Sequence, residues 1–177
     1  MLKSKYTPRL VAFYGIFLAL ALALSVAESW AAPLLQLPPG VKPGFSNIVV
    51  MLAAGAMGLP AALSLAFAKA LFAGLTRGPT AMLLSGAGGL LSAFFVGLLL
   101  RRKWRHFSQS GIGILGGVVH NLAQLGLAAL LTATPGIFWM LPQMLFCGAA
   151  AGAITGTLAR FISAHLRLGK SKECRDS

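Results

Sequence analysis

The chain has 177 residues, of which 57% are hydrophobic and 10% charged. A soluble domain carries about 25% charged residues, so a soluble globular fold is excluded. A net charge of +12 can mark a nucleic-acid binder. Here, however, twelve of the 15 basic residues sit in three clusters that flank apolar runs. Lys and Arg in such places set membrane topology, and nucleic acid is excluded as a partner.

Taken in chain order, residues 1–9 form a basic N-terminal segment with Lys3, Lys5 and Arg9. The first apolar run, Leu10 to Ala27, is 18 residues long. Signal-peptide cores span about 7–15 residues, so this run is expected to stay as a helix, from Leu10 to Trp30. The loop "AAPLLQLPPGVKP" follows. A second helix is predicted from Phe45 to Gly58 and a third from Pro60 to Leu75. Both are short against the roughly 20 residues of a full crossing. The break "TRGPT" separates a fourth helix, Ala81 to Leu100, which ends on Arg101, Arg102, Lys103 and Arg105. A fifth runs from Ser110 to Thr132. After "TATPG" a sixth runs from Phe138 to Ala164.

The prediction is therefore an all-α polytopic membrane protein, a compact bundle of six transmembrane helices with helices 2 and 3 short. Residues 10–165 form the membrane domain, and 166–177 a polar, frayed basic tail. Arg160, Arg167, Lys170, Lys172 and Arg175 complete the third cluster. Placing all three clusters on the cytoplasmic side puts both termini in the cytoplasm whether helices 2 and 3 are two short spans or one re-entrant pair; six crossings is the favoured reading.

Small residues recur at intervals of four. Gly148, Gly152 and Gly156 form one ladder, expected to pack inside the bundle, with a docking face as the alternative. Gly15, Ala19, Ala23 and Ala27 form a smooth strip on the first helix, a candidate for either role.

Three basic residues fall outside the clusters: Lys42, Lys69 and Arg77. All three lie in the outer half of this topology, where positive-inside bias predicts few. Lys69, about six residues before the end of helix 3, can snorkel outward or face a cavity. Only Glu28 offsets these charges on that side, so an outer cavity is expected to be net positive and to favour an anionic solute. Glu28 sits at a helix C-terminus, which the helix dipole disfavours. Lys42 or Lys69 is the expected compensating partner. The segment "LPPGVKPGFSNIVVML" stiffens its loop with Pro38, Pro39 and Pro43. It frees the backbone at Gly40 and Gly44 and places Ser46 and Asn47 in the first turn of helix 2. The free N–H groups there favour an anion, so the segment is expected to act as a rim over the cavity. On helix 5, "VVHNLAQLG" places His120, Asn121 and Gln124 near mid-membrane. Polar groups there form interhelical hydrogen bonds or face a cavity, and His120 and Gln124 share a face.

Enzyme readings find no support. No glycine-rich phosphate loop ending in Gly-Lys-Ser/Thr exists for ATP hydrolysis. The acids are Glu28, Glu173 and Asp176 alone, so no carboxylate pair serves acid–base chemistry or magnesium. No catalytic residue, metal site or cofactor is predicted. Cys147 and Cys174 lie far apart, with no metal or disulfide spacing.

The segments "LALALALSVAES", "LPPGVKPGFSNIVVML", "LLSGAGGLLS" and "GGVVHNLAQL" resemble the family called Gx transporters, whose members also carry the label heptaprenyl diphosphate synthase component I. The resemblance covers most of residues 10–165. That family looks related to the substrate-binding S components of energy-coupling factor transporters. The relation implies a six-helix protein that captures a micronutrient from outside. It depends on a transmembrane coupling subunit and two cytoplasmic ATPases. In such proteins alanines spaced by four on helix 1 contact the coupling subunit, a pattern that falls here on Ala19, Ala23 and Ala27. The first outer loop closes the site, which agrees with a rim from Gly40 to Asn47.

The expected function is thus capture of a small anionic or polar solute at a bacterial inner membrane. Glu28, Gly40, Lys42, Asn47, Lys69, Arg77, His120, Asn121 and Gln124 are the candidate binding residues, and Gly15, Ala19, Ala23 and Ala27 the candidate docking residues. The synthase label implies a different role. The catalytic subunits of polyprenyl diphosphate synthases carry two aspartate-rich motifs, and this chain has a single aspartate, Asp176. It could serve only as a membrane accessory subunit. A third possibility is an assembly factor for a membrane redox complex.

Overall fold

The computed structural model describes residues 8–35, 44–101 and 108–173. Gly40 and Lys42 lie outside them, as do Lys3, Lys5 and three of the four basic residues that follow helix 4. Six α-helices form the fold: α1 (Pro8–Ala31), α2 (Asn47–Met57), α3 (Leu59–Arg77), α4 (Pro79–Arg101), α5 (Gln109–Thr132) and α6 (Leu141–Glu173). Short 3-10 turns follow α1 (Ala32–Leu35) and precede α6 (Pro135–Met140). Five of the helices are long and apolar enough to cross a bilayer, and α2 is not. The chain is a multi-pass membrane protein.

Only one of the two middle helices is short. The predicted third helix, Pro60 to Leu75, is in fact 19 residues, Leu59 to Arg77, whereas α2 has only 11. The cause is a pair of matching one-residue corners. Gly58 (φ +90°) and Gly78 (φ +93°) both take a backbone conformation that favours glycine. In each, the glycine N–H closes the preceding helix, onto Ala54 O at 3.2 Å and Gly74 O at 3.0 Å. Each glycine carbonyl then accepts the first bond of the next helix, from Ala62 and Met82. Pro60 and Pro79 stand just after these corners, where a missing N–H costs nothing. "TRGPT" is therefore a corner rather than a loop, and Arg77 belongs to the last turn of α3.

At 1.5 Å per residue, α2 is roughly 16 Å long, against a hydrocarbon core of about 30 Å. Leu59 to Lys69 rises about 15 Å, which puts Lys69 level with the start of α2. Arg77 lies about 12 Å further along α3. The N-terminus of α2 is thus recessed below the end of α3.

Sequence reasoning also started the last helix too early and ended it too soon. Residues 135–140 wind as a 3-10 turn behind Pro135, and α6 continues to Glu173. The predicted frayed tail is helical that far, as the helix-forming Leu, Arg and Lys of this stretch permit despite Gly169.

The α5–α6 contact accounts for the glycine ladder. A Cβ added at Gly152 would meet Ile114 Cα at 2.7 Å, and one at Gly148 would meet Gly117 O at 2.7 Å. One at Gly156 would meet Gln109 O at 2.7 Å. The backbones touch because neither helix has side chains there, so this ladder is internal packing. Leu65, Ala66, Val49 and Ala53 are fully buried between α2 and α3, and the core extends to Ala21 of α1 and Ala93 of α4.

α1 is peripheral. Ala21, Ser25, Glu28 and Ala32 are buried, at the three- and four-residue spacing of one helical face. Gly15, Ala19, Ala23 and Ala27 are exposed, and a Cβ on Gly15 would meet nothing within 4 Å. Trp30 and Trp139, 80% and 90% exposed, lie at the same end of the bundle as Arg77. Interfacial tryptophans of this kind mark a membrane–water boundary.

Candidate functional site

Four polar side chains from three helices meet at the recessed start of α2. Glu28, near the end of α1, is only 4% exposed. Its Oε1 accepts the backbone N–H of Ser46 at 2.6 Å, and its Oε2 accepts the Ser46 hydroxyl at 3.0 Å. Lys69, equally buried, donates from Nζ to Ser46 Oγ at 2.7 Å and to Asn47 Oδ1 at 3.2 Å. Lys69 does not snorkel. Its carbon stem would have to span the remaining turns of α3, whereas acceptors lie beside it.

Ser46 is the hub, and sequence reasoning left it out of the candidate list. It precedes α2, yet its side chain makes no capping bond. A serine before a helix reads as an ordinary N-cap; here the hydroxyl is used up between an acid and a lysine. The unfavourable position of Glu28 at the end of α1 is offset by the N-terminus of α2 and, through Ser46, by Lys69. Glu28 also stands where an anionic ligand was expected. The cavity's positive charge is therefore not left open at this point, because the chain's own carboxylate faces it.

The cluster continues toward α4 and α5. Gly44 is buried with φ +88°. A Cβ there would lie 3.2 Å from Asn47 Nδ2 and 3.3 Å from His120 Cδ2. On the other side of the imidazole is Gly88 of α4, where a Cβ would meet His120 and Gln124 atoms at 2.8 Å. His120 thus lies between two glycines, beside Asn47, with Gln124 on the same side of α5. Both are buried.

Asn121 belongs elsewhere. Its Nδ2 donates to Met144 O at 2.9 Å across the α5–α6 seam, so its one resolved bond joins two helices. Arg77 is half-buried at the end of α3, two turns beyond Lys69, and forms no part of the bonded cluster.

Asn47 Nδ2 is buried and has no hydrogen-bond partner among the described residues. Asn47 also borders a cavity of about 20 Å³ between α2, α4, α5 and α6, room for a group of about one water's size. Gly44, Ser92, Thr155, several seam glycines and the apolar Val50, Met51, Ala93 and Val96 line the rest. Ser92 Oγ donates to Gly116 O at 2.9 Å and Thr155 Oγ1 to Gly152 O at 3.0 Å, so both hydroxyl oxygens keep lone pairs for a further donor. Among the described residues no group of three or more His, Cys, Asp or Glu could hold a metal ion.

An apolar multi-pass bundle with a buried polar cluster where three helices meet defines a membrane protein. The chain belongs to the family described as heptaprenyl diphosphate synthase component I, whose pattern it matches over residues 17–162. No curated protein and no solved structure matches it.

Proposed function

We propose that the chain is the membrane-embedded capture subunit of an ATP-driven uptake system in a bacterial cytoplasmic membrane, with both termini on the cytoplasmic side. The observation that carries this reading is the cluster of Glu28, Ser46, Asn47 and Lys69 at a helix start recessed within the bundle. Polar and ionisable groups at that depth are expensive, and they mark substrate paths. A half-length helix whose N-terminus ends inside the membrane is a recurring way to build a solute site. His120 and Gln124 extend the polar wall. The solute is small and polar. Energy comes from partners, a transmembrane coupling subunit and cytoplasmic ATPases. The partner's docking surface is the exposed strip of Gly15, Ala19, Ala23 and Ala27, whose small side chains permit close helix approach.

The family description favours a second reading, a membrane accessory subunit of heptaprenyl diphosphate synthesis, and it speaks for that reading more directly than for uptake. The catalytic aspartates would then lie in another chain. Under this reading the strip on α1 holds a synthase subunit, and the polar cluster is structural.

Native mass spectrometry of the protein gently extracted from its own membrane separates the two. Uptake predicts a stoichiometric small solute, with a coupling subunit retained. A retained prenyl synthase with no solute would establish the accessory role instead.

A further inference from the structure

We infer that Glu28 is a built-in ligand: its carboxylate fills an anion-binding site formed by Ser46 and Lys69, so the site rejects free anions and accepts uncharged polar groups. Two donors converge on the carboxylate, and a third group backs them from one step behind. They are the Ser46 N–H at the start of α2, the Ser46 hydroxyl, and the Lys69 ammonium acting through that hydroxyl. A helix N-terminus and a buried lysine are each an anion-attracting feature. Both are directed at a group carried by α1, on a helix held otherwise by apolar packing and by the Tyr14–Ser64 hydrogen bond.

Charge balance decides the ligand class. Glu28 and Lys69 are both 4% exposed, so neither charge is relieved by water. Together they cancel. A second anion entering here would sit beside Glu28, whose own charge already takes up that of Lys69, a costly burial. Among the described residues, the neutral donor Asn47 Nδ2 is left unbonded in the cluster. That group suits a carbonyl, hydroxyl or ether oxygen. This consequence rests on the uptake reading, and it replaces the expected anionic solute with an uncharged one. The filled anion site itself does not depend on that reading.

Chemical rescue tests the site without any knowledge of the solute. Glu28→Ala removes the carboxylate and leaves its donors in place. The full chain, purified in detergent micelles, is heated in sodium acetate, sodium chloride or acetamide at matched concentrations. Acetate is expected to raise the unfolding midpoint of the variant saturably, recovering at least half of what the substitution lost. Acetamide, which has the same shape without the charge, leaves it unmoved, and the parent protein responds to none of the three. If acetate acts on the parent as strongly as on the variant, the anion position is not filled and the inference fails. It fails equally if the variant ignores acetate. Should Glu28→Ala not accumulate, Glu28→Gln is compared with Glu28→Gln/Lys69→Met. A filled anion site requires the double variant, which carries no uncompensated charge, to be the more stable of the two, and the reverse order overturns the inference.

Discussion

Glu28 and Lys69 do not need to touch to depend on each other, because Ser46 hydrogen-bonds to both, at 2.6 and 3.0 Å to the acid and 2.7 Å to the lysine. The arrangement fixes three helices at one buried point. It joins the peripheral helix α1, which carries the exposed strip, to the polar cluster.

The first prediction follows from that link. Lys69→Met leaves Glu28 buried without its cation and should cost about 3–5 kcal/mol, the usual cost of breaking one half of a buried pair. Glu28→Gln/Lys69→Met should recover much of the loss. Unfolding of the single and double variants in one detergent measures the coupling. Additive effects would mean that Ser46 does not connect the two charges.

Gly44→Ala tests the rim. Its backbone lies at φ +88°, where a side chain costs roughly 1–2 kcal/mol. The new methyl would also press on Asn47 and His120. The variant should fold with reduced stability and lose solute retention, while Gly15→Ala, at an open position, should change stability little.

Gly152→Val tests the α5–α6 seam. With a Cβ already 2.7 Å from the Ile114 backbone, no rotamer change makes room. The helices must separate, at a cost beyond the roughly 1–3 kcal/mol of ordinary overpacking. Loss of folded protein in membranes, read as yield after extraction, is the expected outcome.

Asn121→Leu separates structure from binding. It removes the bond to Met144 O, worth about 1 kcal/mol net. It should lower thermal stability and leave solute affinity intact. Asn47→Leu should abolish retention, and it should lower stability too, because it removes an acceptor of the Lys69 ammonium.

Much of this was legible in the sequence. Six helices and their order follow from hydropathy and from Gly and Pro punctuation. Glu28 was singled out by its misplaced charge, with Lys69 as a candidate partner. What escaped is instructive. The lengths of α2 and α3 depend on whether Gly58 and Gly78 each turn the chain in one residue, and composition does not reveal φ. Ser46 was placed in the first turn of helix 2 but not among the binding residues, since its role needs α1 and α3 to converge on it. Asn121 looked like part of the site because it adjoins His120 in sequence, yet adjacent helical positions face different neighbours. The same helical geometry shows why Gly15, Ala19, Ala23 and Ala27 lie together on the surface, while the identity of a partner is written in no single chain.

The most direct test of the central claim compares the parent with Ala23→Leu, both tagged and gently extracted from the native membrane. The bulkier side chain lies on the exposed strip of α1, so the fold should be unchanged. The account predicts that a membrane coupling subunit and its ATPases accompany the parent and are lost from the variant, while both retain a small solute. Equal recovery of a soluble prenyl synthase with parent and variant, and no solute with either, would contradict it.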